Sequence, residues 1–174
     1  MKKHEHEPNY FLIPSSLGGF PGLINSGNRN FWLKKLDFQG NLIQEELYGG
    51  SLWDQASCGI KTLDGGYVLV GSTTSNDSDV SGNHNPSSDD IWIVKLDSSF
   101  SIVNSRCLGG SLVDGFSAFL EGGVSILQLP DSSFALAASV NSNDGDLQPD
   151  SDMVYCDGWF VKLESDFTII EQHT

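Results

Sequence analysis

The sequence predicts an all-β protein made of about three repeats, each a four-stranded antiparallel blade of a β-propeller, with an incomplete ring. Three observations favour this fold. A tryptophan motif occurs three times, a Gly-Gly-Ser-x-x-Asp motif occurs twice, and short apolar runs alternate with turn residues along the 174 residues. A β-solenoid or an irregular β-sandwich is the alternative, which ranks lower because solenoid repeats are usually shorter.

The tryptophan motif sets the length of the repeat. It reads FWLKKLD at 31–37, IWIVKLD at 91–97 and GWFVKLE at 158–164, so its tryptophans are spaced by 60 residues (92 − 32) and then by 67 (159 − 92). The Gly-Gly-Ser-x-x-Asp motif at 49–54 returns at 109–114, again 60 residues on. The longer last repeat is explained by an insertion within 116–130.

Each full repeat is predicted to contain strands A to D, separated by turn residues. In the middle repeat these strands fall at about 55–63, 67–75, 91–96 and 102–108. Asp64-Gly65-Gly66 predicts a hairpin between A and B, because glycine reaches the positive φ that tight turns need. Residues 1–174 form one repeat domain, in which 10–50 is a partial blade with strands B to D, and 51–110 and 111–174 are full blades.

Composition excludes several classes of partner. Nine Lys and Arg against 23 Asp and Glu give a net charge of −14, and an acidic surface repels nucleic acid and anionic membranes. The sequence has no apolar run long enough for membrane insertion. A protein or a carbohydrate remains as the expected ligand. Because three blades cannot close a ring, self-association that completes the ring is a further expectation.

Acidic residues concentrate in the loops between strands B and C, where the sequence predicts calcium. Residues 77–83 place Asp, Asp, Ser and Asn at alternate positions, as in the first half of an EF-hand loop, and 144–146 repeat this in part. The candidate ligands are Asp77, Asp79, Ser81, Asn83, Asp89, Asp90, Asp144, Asp146, Asp150, Asp152 and Asp157. The alternative is that these residue types are present because they form turns.

Other recurring residues have simpler predicted roles. The tryptophans at 32, 92 and 159 are expected to pack between blades. Asp54 and Asp114 are expected to accept hydrogen bonds from backbone N–H groups in the loop between D and A. Trp53 has Val113 as its counterpart, which makes it a singular, exposed candidate for ligand contact. Because no Ser-His-Asp or Cys-His set is indicated, we expect no enzyme.

The repeat resembles the bacterial secreted β-propeller repeat, the SBBP type, of surface and secreted proteins in Bacteroidetes-like bacteria. The matching segments are 49–54, 64–67, 71–77 and 90–97. The C–D turns depart from the pattern, since Phe100 and Phe167 stand where the first repeat has Gly40, and we expect those turns to be wider or differently shaped.

The resemblance implies a non-catalytic scaffold or binding module, extracellular or at the cell surface. The calcium predicted from the spacing of the aspartates would stabilise it. Localisation rests on the resemblance, because residues 1–8 carry two lysines without the apolar region of a signal peptide. One alternative is a fragment of a propeller-based carbohydrate-active or other hydrolase. The other is a truncated propeller without an independent function.

Overall fold

The computed structural model describes residues 11–18, 29–115, 123–148 and 156–174. Every regular element in these ranges is a strand, which confirms the all-β class. The strands are β1 (Phe11–Gly18), β2 (Arg29–Leu36), β3 (Leu42–Tyr48), β4 (Asp54–Lys61), β5 (Tyr67–Thr73), β6 (Asp90–Leu96), β7 (Ile102–Leu108), β8 (Ser125–Gln128), β9 (Phe134–Val140), β10 (Asp157–Leu163) and β11 (Ile169–His173). The same ranges contain no helix that could cross a membrane.

The strands form three antiparallel sheets in which neighbours along the chain pair with one another. Sheet 1 contains β1 to β3, sheet 2 contains β4 to β7, and sheet 3 contains β8 to β11. The four strands predicted for the middle repeat are those of sheet 2, although β5 ends two residues earlier than expected. Strand β4 also ends two residues early, at Lys61. It ends there because the Thr62 N–H donates to the Gly66 carbonyl at 2.9 Å, which closes the turn that was predicted at 64–66.

The C–D turn has one shape in all three sheets, so the expectation of wider turns at Phe100 and Phe167 was wrong. In sheet 2 the Asp97 N–H donates to the Ser101 carbonyl at 2.9 Å, and the turns of the other two sheets repeat this bond. Gly40, Phe100 and Phe167 occupy the same place with φ of 84°, 70° and 72°. The two phenylalanines tolerate the left-handed conformation, which costs about 1–2 kcal/mol, because both rings are buried.

The central strands of sheet 2, β5 and β6, are buried on both faces, since successive side chains of a strand point to opposite sides. One face of β5 and β6 presents Tyr67, Leu69, Trp92 and Val94 to sheet 1, in a cluster that includes Phe31 and Leu33. The other face presents Val68, Val70, Ile91 and Ile93 to sheet 3, in a cluster that includes Leu136 and Trp159. Trp92 and Trp159 are fully buried between sheets, as predicted, whereas Trp32 is only partly buried.

The two sheet-to-sheet interfaces also share a polar contact. The Gln44 side-chain amide donates to the Ser99 carbonyl at 3.0 Å, and 60 residues later the Asn104 amide donates to the Asp166 carbonyl at 2.8 Å. In both cases the last strand of one sheet holds the C–D turn of the next. The three sheets therefore stack by a common rule, in chain order.

Candidate functional site

Two kinds of loop meet at one end of the stack, which we call the loop end. The D–A connections, 49–53 and 109–113, lead from one sheet to the next. The B–C loops leave β5 and β9 and return to β6 and β10. The antiparallel order of the strands brings both kinds of loop to the same end, and the predicted calcium ligands that the structure describes lie there.

In sheet 2 the carboxylates of the B–C loop bind the backbone of the D–A connection. Asp77 Oδ1 accepts the Ser51 N–H at 2.7 Å, and Asp79 Oδ2 accepts the Gly49 N–H at 3.1 Å. The pKa of Asp77 lies below its ordinary value because Ser51 donates hydrogen bonds to its charged form. We call this arrangement the amide latch.

Sheet 3 repeats the amide latch with its own residues. Asp144 Oδ1 accepts the Ser111 N–H at 2.7 Å, and Asp146 Oδ2 accepts the Gly109 N–H at 3.4 Å. The pKa of Asp144 is likewise lowered, mainly by hydrogen bonds from Ser111. The repeated aspartates thus have a repeated structural partner, which is the connection that enters their own sheet.

Asp54 and Asp114 accept backbone hydrogen bonds in the D–A connection, as predicted. The Gly50 N–H donates to Asp54 at 2.8 Å, and the Gly110 N–H donates to Asp114 at 2.8 Å. Both carboxyls are fully buried. Burial raises the pKa of Asp54 to about 6, although hydrogen bonds from Thr73 and Gly50 act in the opposite direction.

The structure places the remaining predicted ligands apart from the latch aspartates. Ser81 is exposed, and Asn83 is buried with its side-chain amide donating to the Thr73 carbonyl at 3.2 Å. Asp157 opens β10, while Asp150 and Asp152 lie outside the described residues. Within the described ranges, no group of three or more His, Cys, Asp or Glu side chains is placed to hold a metal ion. Calcium binding stays a prediction.

Two of the predicted ligands, Asp90 and Asp146, instead lie on either side of a histidine between sheets 2 and 3. His84 Nδ1 lies 2.7 Å from Asp90 Oδ2, and His84 Nε2 lies 3.6 Å from Asp146 Oδ2. Arg106 also pairs with Asp146, at 2.7 Å. The pKa of Asp90 is raised to about 6, chiefly by burial and to a lesser extent by the charge of Asp114, while His84 lowers it.

Sequence reasoning missed His84 and Arg106 because neither shares a repeat position with a similar residue. The sequence did contain a signal for their partner Asp90. Asn30 stands 60 residues before Asp90, so the repeat accepts a neutral side chain at this position and the charge of Asp90 is a departure from it. With Asp90 the chain instead carries a buried carboxyl whose Oδ1 has no hydrogen-bond partner among the described residues.

Trp53 lies at the loop end with half of its surface exposed, at 50%. The Arg29 guanidinium stacks over its ring at 4.5 Å from the centroid and donates to Gln55 Oε1 at 3.2 Å. Beside this ring is a cavity of about 90 Å³ that opens to solvent. Its lining residues are Trp53, Gln55, Ser72, Thr74 and Asp89. The burial of Asp89 raises its pKa above the ordinary value.

No protein-family model matches the chain, and no curated protein matches it. The resemblance to secreted propeller repeats therefore stays a prediction.

Proposed function

We propose that this chain is a non-catalytic binding scaffold of propeller-type blades, extracellular or at the cell surface, and that it binds its ligand at the Trp53 cavity. One observation carries the proposal. At the loop end, where the latch residues recur from sheet to sheet, Trp53 departs from the repeat and borders a cavity. Loops held on a rigid framework are where binding residues concentrate.

The repeated packing supports the propeller architecture. Two D–A connections are held by the same carboxylate contacts, and two interfaces share the same side-chain amide contact. Four-stranded sheets that stack in chain order, with all their loops of one kind at one end, are typical of propeller blades. The extracellular location is proposed from the resemblance of the repeat.

The partners of the acidic residues favour binding over hydrolysis. A glycosidase needs two carboxyl groups on either side of an open substrate site. Asp90 and Asp114, whose charges interact, are both fully buried, and the latch aspartates Asp77 and Asp144 accept hydrogen bonds from backbone amides. His84 lies between two carboxylates, so its ring does not address a hydroxyl or thiol nucleophile.

The lining of the cavity suits a small neutral ligand that has both an apolar face and hydroxyl groups, such as one sugar unit of a carbohydrate. An aromatic face supplies apolar contact area, and a few fixed polar groups supply orientation. Here the Trp53 indole is the apolar wall, and an amide, two hydroxyls and the Asp89 carboxylate surround it. Sugars match this combination, since their rings have apolar faces and hydroxyl edges.

A glycan array, followed by calorimetry on any hit, tests the proposal. The wild-type chain is expected to bind a neutral oligosaccharide, and Trp53→Ala is expected to weaken that binding at least about tenfold, as removal of a central aromatic contact does. Leu52→Ala is the matched control, because Leu52 is adjacent and 42% exposed but does not line the cavity. Absence of glycan binding by the wild type, or equal binding by Trp53→Ala, would contradict the proposal.

A further inference from the structure

The cavity beside Trp53 is small, and its aromatic wall is held in place. Its volume of about 90 Å³ is well below the about 300–1,000 Å³ of cavities that enclose a whole small molecule. A cavity of this size receives one substituent of a ligand rather than the whole ligand. The Trp53 backbone is fixed at the cavity, because its N–H donates to Thr74 Oγ1 at 3.0 Å and its carbonyl accepts the Thr74 N–H at 2.8 Å.

One polar group of the cavity is a hydrogen-bond donor whose orientation is set by Arg29. The Arg29 guanidinium donates to the Gln55 side chain at 3.2 Å. A guanidinium has no acceptor, so the atom that it contacts is the amide oxygen of Gln55. The amide nitrogen of Gln55 donates to no other described residue. It is therefore the end of this side chain that is available to a ligand.

A second polar group of the cavity, the Asp89 carboxylate, is an acceptor. Its backbone is fixed, because the Asp114 N–H donates to the Asp89 carbonyl at 2.7 Å. Burial is the cause of the raised pKa of Asp89, and no hydrogen bond from the described residues lowers that pKa. An ionised carboxylate only accepts hydrogen bonds. A ligand N–H or O–H that donates to Asp89 would offset the cost of its burial.

The cavity thus presents one donor and one acceptor beside an aromatic face, and a secondary amide matches this set. Its carbonyl accepts from Gln55, its N–H donates to Asp89, and a methyl group on the carbonyl carbon packs against the indole. A hydroxyl group also donates and accepts, but the cavity is about three times the about 30 Å³ share of one water molecule. A hydroxyl therefore leaves most of the cavity unfilled, whereas the four heavy atoms of an acetamido group fill it.

Charged substituents match the cavity less well than an amide does. An ammonium group satisfies Asp89 but has no acceptor for the Gln55 amide nitrogen. A carboxylate accepts from Gln55 but is repelled by Asp89. The Arg29 guanidinium lies against Trp53 at 4.5 Å from the ring centroid and donates to Gln55, so the structure already supplies both of its contacts at the cavity.

We propose that the Trp53 cavity binds the acetamido group of an N-acetylated hexosamine unit of a glycan. Gln55 and Asp89 hold the two polar atoms of the acetamido group, and its methyl group contacts the Trp53 indole. The apolar face of the sugar ring lies on the exposed part of the same indole. This inference rests on the proposed glycan-binding function and adds the class of sugar to it.

Calorimetry with three tetrasaccharides of the same linkage tests the sugar class. The tetramers of N-acetylglucosamine, glucose and glucosamine carry an acetamido, a hydroxyl and an ammonium group at the same carbon. The acetylated tetramer is expected to bind at least about tenfold more tightly than the other two, because only it satisfies both Gln55 and Asp89. Equal or tighter binding of another tetramer overturns this inference and leaves the glycan site at Trp53 standing. Absence of binding to any glycan overturns both.

Gln55→Glu tests the donor in the cavity. This variant keeps an oxygen for Arg29 and replaces the amide nitrogen by an acceptor, so the cavity then favours a group that only donates. Binding of the acetylated tetramer is expected to fall at least about tenfold, and the glucosamine tetramer is expected to become the tighter ligand. Gln39→Glu is the matched control, because it makes the same change of charge at an exposed residue of the C–D turn in sheet 1. An unchanged preference in Gln55→Glu overturns the inference.

Two further measurements complete the test. Circular dichroism and thermal melts establish that each variant is folded. If Gln55→Glu does not fold, Asp89→Ala takes its place. It removes the acceptor just before β6 and is likewise expected to lose the preference for the acetylated tetramer. Binding of an acetyl-lysine peptide in place of the tetramer would assign the cavity to an acetylated protein and overturn the assignment to a sugar.

Discussion

At the scale of single residues, two buried carboxyls make the stability of the fold depend on pH. Burial raises the pKa of Asp54 and of Asp90 from 3.8 to about 6. Between these two pH values the folded chain binds more protons than the unfolded chain does, so the free energy of unfolding falls as pH rises. Each carboxyl is therefore most favourable to the fold below about pH 4, where it is protonated in both states.

From this follows a stability optimum on the acidic side of neutrality. Acidification from pH 7 to pH 5 is expected to raise the free energy of unfolding by on the order of 2 kcal/mol. Below about pH 4 stability is expected to fall, because Asp64, with its pKa lowered to about 2 by Thr62 and Lys95, loses its charge-dependent contacts. Chemical unfolding at a series of pH values measures this.

Asp90→Asn is the matched control for that pH series, since Asn30 shows that sheet 1 accepts an amide at this position. The variant is expected to be more stable than the wild type at pH 7 and to have a shallower pH dependence between pH 5 and 7. An unchanged dependence would exclude Asp90 as one of its sources.

The latch aspartates give a second prediction at this scale. Asp77→Ala removes the acceptor of the Ser51 N–H, and a backbone donor without an acceptor destabilises the fold. The melting temperature is therefore expected to fall by the same amount in EDTA and in millimolar calcium. Ser81→Ala, at an exposed predicted ligand, is the control and should change little. A calcium-specific rise of the wild-type melting temperature that Asp77→Ala abolishes would instead support the calcium prediction.

At the scale of elements, the hairpin turns combine an unfavourable backbone with a buried ring. Phe100 and Ser132 both have left-handed φ, at 70° and 71°, but Phe100 is 3% exposed whereas Ser132 is exposed. Glycine relieves the left-handed conformation at either site, by about 1–2 kcal/mol. Only at Phe100 does it also remove a buried aromatic ring, which contacts Tyr67 edge to face at 5.2 Å.

The two glycine variants are accordingly expected to differ in sign. Phe100→Gly should lower the free energy of unfolding by about 2–3 kcal/mol, since loss of a buried phenylalanine costs about 3–5 kcal/mol. Ser132→Gly should change it by less than about 1 kcal/mol, in the stabilising direction. Urea titration measures both. A destabilised Ser132→Gly would show that this turn does not store backbone strain.

Elements of the fold were predictable where the signal is local. The strands of the middle repeat followed from alternation and from the glycines of the turn at 64–66, because those patterns act over a few residues. Partners distant in sequence were not predictable. The spacing of Asp77 and Asp79 is the same whether they face a metal ion or amides, and their amide donors lie 26 and 30 residues away. The shape of the turn at Phe100 was predicted wrongly because the burial of its ring depends on the packing of the sheets, which the local sequence does not show.

At the scale of the whole molecule, stability is distributed between neighbours. Sheet 2 alone has both faces covered within the described chain, and its β5 is buried along its entire length. In the part of the chain that the structure describes, sheets 1 and 3 each share a hydrophobic cluster with sheet 2, so each depends on sheet 2 for that core. The repeat count from the tryptophan spacing predicted this stack.

The amide latch also has a consequence for folding during synthesis. Ser51 precedes Asp77 by 26 residues, and Ser111 precedes Asp144 by 33. At about 5–20 residues per second, the donors of each connection leave the ribosome about 1–7 s before their acceptors do. Each D–A connection therefore forms its latch hydrogen bonds only after the B–C loop of the following sheet has been synthesised. The latches form in order, from the first sheet to the last.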